Sequence, residues 1–297
     1  DRVGVGGLER TDPMRHPCYR WIGLGLLAAT LAGCASMAQR QLADNLGRAV
    51  LNQDDPATVR AGAPAFLLLL DGMLEGDPDN VDLLIAGARL NAAYAGVFVE
   101  DAERAGRLAK KAHGYAGRAL CLTRPALCNL DEKPFADFEA ALAPLGRDVL
   151  PVLYAYGVTW VVLIQQQGDW QAAADLPKVE MVLDRVVAID ETYERGQAHV
   201  YLGALRCLVP PALGGKPERG RAHFERAIAL SDGRNLIAPV ELARRYARLV
   251  FDRPLHDELL EGVVKADPVE PGLTLSNVLA QAQARELLAG SAQYFPE

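Results

Sequence analysis

An amphipathic helix recurs along this chain, and that recurrence limits the fold more than any other feature. Between Asp101 and Leu120, apolar residues fall at Ala105, Leu108, Ala109, Ala112, Tyr115, Ala116 and Ala119. Glu103, Arg104, Arg107, Lys110, Lys111 and Arg118 take the opposite face. The period is that of a helix with one buried side, and Asp101 can cap its free N–H groups. The pattern returns after Pro217-Glu218-Arg219-Gly220, where proline suits the first helical turn. Phe224, Ala227 and Ile228 then stand where Ala109, Ala112 and His113 stood. Leu183 with Val186 fits the same frame. Small and bulky residues at that spacing suit the second helix of a tetratricopeptide repeat, where a small residue admits the paired helix and a bulky one fills the gap.

Helix stops agree with this reading. Leu74-Glu75-Gly76-Asp77-Pro78-Asp79-Asn80, Ala188-Ile189-Asp190-Glu191 and Val264-Lys265-Ala266-Asp267-Pro268 each end one helix and begin the next. Proline cannot continue a helix, and a neighbouring Asp or Asn caps the following one. New helices are predicted over 81–94, 194–207, 235–251 and 273–288. Half the residues are hydrophobic but only 6% are aromatic, and alanine and leucine dominate. That mixture favours close-packed helices over strands. The expected fold is all-α, a degenerate tetratricopeptide-like solenoid of helical pairs spanning 45–297. An insertion near 120–151, with prolines at 125, 134, 144 and 151 and a short helix at 135–142, is either a partner-contact lobe or a cap over hydrophobic ends.

The N-terminus carries an export signal. From Met14 the chain runs through basic residues into an apolar stretch at 21–32, then Leu31-Ala32-Gly33-Cys34. The order is that of a secretory signal, and the stretch is too short to span a bilayer. The last four residues match a lipobox, so cleavage before Cys34 and lipidation of its sulfur are expected. Residues 1–33 are then leader and signal, with translation starting at Met14, and 34–44 a lipidated tether. Acyl chains on one residue can hold a body at a membrane. Ala35 in place of Asp points to the periplasmic face of the outer membrane, with the inner membrane as the alternative.

Five cysteines are present. Cys18 leaves with the signal and Cys34 takes lipid. Cys121 and Cys128 could close a small disulfide loop after a helix, or remain buried thiols beside Cys207. No zinc pattern is present. His113, His199, His223 and His256 each stand apart in the sequence without an HExxH motif, as helix-surface or interhelical residues. Gly214-Gly215-Lys216 lacks the strand and the following Ser or Thr of a phosphate loop. With no nucleophile elbow either, neither a catalytic residue nor a cofactor is expected. A net charge of −7 offers nucleic acid no positive field. The aromatic cluster Tyr154, Tyr156, Trp160 and Trp170 is the candidate contact for a ligand or partner, although such clusters are more often core. Residues 154 and 158 share one helix face and 156 and 160 another, so burial of only one face is expected.

Several motifs resemble a known family. They are Pro78-Asp79-Asn80 with Leu83-Leu84, Tyr94-Ala95 with Phe98-Val99-Glu100-Asp101, Tyr154-Ala155-Tyr156-Gly157 with Trp160, and Leu176-Pro177-Lys178-Val179-Glu180. Leu213-Gly214-Gly215-Lys216-Pro217-Glu218-Arg219 and Leu275-Ser276-Asn277-Val278-Leu279-Ala280-Gln281 continue the series. Over about 60–290 the chain resembles the T component of tripartite ATP-independent periplasmic (TRAP) transporters, a periplasmic tetratricopeptide lipoprotein. The resemblance implies a helical homotrimer that associates with the transporter's solute-binding protein, with a ligand-accommodating passage through the body. It implies no catalytic residues. A generic tetratricopeptide scaffold for envelope assembly is the alternative function.

Overall fold

The computed structural model describes residues 45, 47–168, 174–211 and 215–295. The expected lipidation site Cys34, the expected signal and 34–44 tether, Trp170 and Gly214 lie outside the described residues. The chain divides into a short N-terminal unit and a unit running from Val50 to Glu297, and the helices below belong to the latter.

Among the described residues every regular element is helical. The first three helices are α1 (Pro56–Gly76), α2 (Val81–Phe98) and α3 (Ala102–Thr123). Their starts follow from capping. Asp55, Asn80 and Asp101 accept from the backbone N–H groups of Ala57, Leu83 and Arg104 at 2.9, 3.1 and 2.7 Å, satisfying donors that a helix start leaves free. On α3, Ala105, Ala109, Ala112, Ala116 and Ala119 are all buried, as the periodicity requires. This face of methyl groups lets α2 and α5 (Leu150–Gln167) both pack on α3.

The 120–151 segment forms no free lobe. Cys121 and Cys128 are joined by a disulfide, and a 3-10 turn at Pro125–Leu127 leads to α4 (Phe135–Leu142). Leu127, Leu130, Phe138, Leu142, Leu145 and Val149 all enter the main core. Lys178, on α6 (Leu176–Ile189), donates to the Asp131 carbonyl at 2.5 Å, and Arg185 donates to the Leu145 carbonyl. The insertion therefore covers the hydrophobic ends of its neighbours.

Two predicted helices are altered. The helix expected over 194–207 begins later, as α7 (Gln197–Arg206), because Tyr193–Gly196 winds into a separate short turn. The 235–251 helix becomes α9 (Ile237–Glu241), followed by a π-helical stretch at Leu242–Ala247. There Arg244 and Arg245 both engage the buried Glu241 carboxylate. The remaining elements are α8 (Pro217–Leu230), α10 (Arg253–Lys265), α11 (Thr274–Ala289) and the short α12 (Ser291–Tyr294).

Successive helices pack in series, and α11 also touches α1. The Gly272 N–H donates to Asn52 Oδ1 at 2.7 Å, so the two ends of the described body meet. The α7–α8 contact shows the small-and-bulky pairing in detail. Phe224 is fully buried, and a Cβ added at Gly203 would lie 2.8 Å from its ring. Phe224→Ala should cost about 3–5 kcal/mol, the loss of a core aromatic. Gly203→Ala should destabilise by overpacking the same contact. Urea unfolding of the two variants checks both, and a neutral result for either would break the frame.

Candidate functional site

Helix α5 places the aromatic candidates. Its residues from Leu150 to Val162 are mostly buried, and in the apolar stretch containing it 72% of an 18-residue window is covered by protein. A helix apolar all round is covered all round. Both faces are therefore buried, which corrects the expectation of one. Tyr156 and Trp160 pack against His113 of α3, with ring centroids 4.7 and 5.3 Å away. Phe138 meets Trp160 edge-on. Burial pushes His113 down to about 4, against a weaker pull from Asp131, so its ring is neutral at pH 7. Its Nδ1 lies 3.3 Å from Thr159 Oγ1. These two aromatics belong to the core.

Tyr154 points elsewhere, towards a cluster that has no sequence signature. Its ring lies 5.4 Å edge-on from Tyr193, and the Arg89 guanidinium of α2 sits 5.9 Å from the ring centroid. Arg89 also pairs with Glu194 at 2.8 Å. Burial, the largest cause, holds the Tyr154, Tyr193 and Tyr201 phenols above their usual range. They remain neutral hydroxyls beside a cation.

The turn that supplies Glu194 is strained. Glu194, Arg195 and Gly196 have φ of 49°, 55° and 75°, three consecutive left-handed residues where only glycine is at ease. Gly196 is required on steric grounds too, since a Cβ there would approach Leu230 to 2.7 Å. Arg195 reaches the other way, donating to Glu270 Oε1 at 2.8 Å and the Pro271 carbonyl at 2.9 Å. Strained backbone held by such contacts marks positions to test for function.

A second feature lies where α1, α2 and α11 meet. Pro56, Ala57, Arg60, Ala61, Val97, Phe98 and Leu279 line an open cavity of about 390 Å³. Arg60 is its one charged group, 3.4 Å from Glu100. From its rim at Ala61, α1 also exposes Ala65, Leu68 and Leu69, an uncharged row over about two turns. Among the described residues no group of three His, Cys, Asp or Glu is set to hold a metal ion.

The histidines are not all solitary. Nδ1 of His199 on α7 lies 2.8 Å from Nδ1 of His223 on α8, a pairing that 24 residues of separation concealed. Arg89 with Glu194 was concealed in the same way, and the glycine closing Glu194-Arg195-Gly196 was its one local signal.

Helices packed in series, with an ion-paired strained turn and an uncovered apolar row on α1, define an all-α protein. The chain belongs to the TRAP transporter T-component family, whose model matches residues 52–295. Its role is accordingly that of an accessory component of a TRAP transporter. No curated protein matches the chain.

Because Tyr156 and Trp160 are core, alanine there reports on folding. Trp160→Ala should cost about 3–5 kcal/mol. Tyr154→Phe keeps the ring and loses only a hydroxyl, so its cost should be no more than about 1 kcal/mol. Denaturant melts of both variants separate the two roles.

Proposed function

We propose that this chain is a lipid-anchored periplasmic accessory protein that docks the solute-binding protein of a TRAP transporter and holds its ligand. The observation that carries the reading is the family match over 52–295. The body is read as a degenerate tetratricopeptide-like array assembled as a homotrimer. Lipid on Cys34 keeps it at the periplasmic face of the outer membrane. Two features of the body support a docking role.

The first is the α1 row. Leu68 is 74% and Leu69 45% exposed, and exposed apolar surface of this kind is where partners bind. The second is the Tyr154 and Arg89 cluster with the nearby strained turn. Neutral phenols and a guanidinium suit a ligand carrying an acidic group.

Mass spectrometry of the purified protein should find Cys34 as an acylated N-terminal residue, and an unmodified Cys34 would remove the anchor from the proposal. Docking is tested by calorimetry with the cognate solute-binding protein of the TRAP transporter. Leu68→Glu should leave the melting curve unchanged and weaken binding about tenfold or more, the loss of one buried apolar anchor. Wild-type affinity in that variant would move the contact to another face. No binding by the wild type would sink the docking role.

A further inference from the structure

Helices α6, α7 and α8 are linked by a chain of side chains that has only one workable arrangement of protons. Arg206 on α7 grips Asp184 of α6 through Nη2, at 2.8 and 2.7 Å to the two carboxylate oxygens. Its Nη1 lies 2.6 Å from His223 Nε2 on α8. A guanidinium only donates. His223 Nε2 must therefore accept, and the neutral ring carries its proton on Nδ1. That N–H faces His199 Nδ1 at 2.8 Å, so His199 accepts there and carries its own proton on Nε2. His199 Nε2 is buried with no hydrogen-bond partner, with Glu191 Oε2 3.7 Å away. Arg226 of α8 holds that carboxylate in place.

Neither ring can take another proton without losing a hydrogen bond. A proton on His223 Nε2 would face the Arg206 donor, cation against cation. A proton on His199 Nδ1 would face the His223 N–H, donor against donor. Turning the His223 proton over to relieve that clash only restores the first one. We propose that the His199–His223 pair is an acid-operated release for the packing of α7 on α8. While neutral it fastens the two helices, and protonation of either ring unfastens them.

The contact it guards is the core of this region, where Val200 and Ala204 of α7, with Cys207 just after it, meet Phe224 and Ala227 of α8. The charged groups around the pair are Glu180 and Asp184 from α6, Glu191 from the following turn, Arg206 from α7 and Arg226 from α8. Burial first, then Arg206 and His199, hold His223 down at about 4 instead of its ordinary 6.5. Burial lowers His199 as well, against the opposing pull of Glu191. The sign is then fixed. The open state binds a proton before the packed one does, so the packing is strongest above pH 6.5 and weakens as pH falls towards about 4.

Hydrogen exchange on the full chain, corrected for intrinsic rates, tests this. Between pH 6.5 and about 4, opening of α7 and α8 should rise about a hundredfold, at tenfold per unit of pKa separation. His223→Gln can accept from Arg206 and donate to His199 without titrating, which leaves His199 as the pair's one titrating ring, so its opening should rise far less than in wild type. Asp184 also titrates, and Asp184→Asn should retain the acid response. An equal acid response in wild type and His223→Gln overturns the proposal. Nitrogen NMR of the wild type gives a second reading that needs no variant, since a neutral His223 with its proton on Nε2 would also overturn it.

Discussion

Close approach between helices, permitted by small residues on one side of each contact, is the constraint from which the rest of the body follows. Helix axes settle 8–10 Å apart according to the side chains between them. The five buried alanines of α3 bring α2 and α5 in together. Alanine is the strongest helix former and gives up no rotamer freedom on burial. It also buries little area per residue, so the bulk must come from the partner. Leu153, Tyr156 and Trp160 of α5 supply it within the main core. The same division recurs at Gly203 and Phe224, with the ring pressed on the backbone of the facing helix. An alanine-rich helix and an aromatic-rich one are thus two halves of one packing solution.

Local strain ties distant parts of this array together. A left-handed residue other than glycine costs about 1–2 kcal/mol, and the turn after α6 holds two in succession. The outward splay of their side chains offsets that cost. Glu194 reaches back to Arg89 on α2, while Arg195 reaches forward to Glu270 and Pro271. One residue beyond Pro271, Gly272 binds Asn52. A short path of polar contacts therefore runs from the start of the described body, through its C-terminal loop and its middle, to α2. The hydrogen bonds in this path cross between elements that nearest-neighbour stacking alone would leave apart.

Much of the fold was legible because its signals are local. The alanine face of α3, the caps at Asn80 and Asp101 and the pairing of Phe224 with a small residue all depend on spacings within one or two helical turns. The candidate site was less legible because its parts are remote in sequence. Arg89 and Glu194 carry no motif, and their meeting depends on a backbone conformation that only Gly196 hints at. His199 and His223 each read as an ordinary interhelical residue, and it is the approach of α7 to α8 that makes them one unit. The exposure of α5 was misjudged for a related reason. Alternation along a helix says which residues share a face, but how many neighbours cover that helix is decided by tertiary packing.

The junction of the two ends explains why the cavity lies where it does. In a linear array each terminal repeat leaves one apolar face without a neighbour and needs a polar cap. Here α11 meets α1, so each end covers the other and part of that need disappears. The match is incomplete, because Leu279 is the one side chain of α11 that faces Ala57 and Ala61 of α1 and Val97 and Phe98 of α2 across the gap. The space left over becomes a cleft with Arg60 at its edge. Contacts at this junction join residues more than two hundred positions apart, and ordering so long a segment before closure is entropically costly. Local opening favours regions with few buried apolar contacts and solvent-facing hydrogen bonds. The junction has both features, since its cavity is open and its Gly272–Asn52 hydrogen bond is exposed.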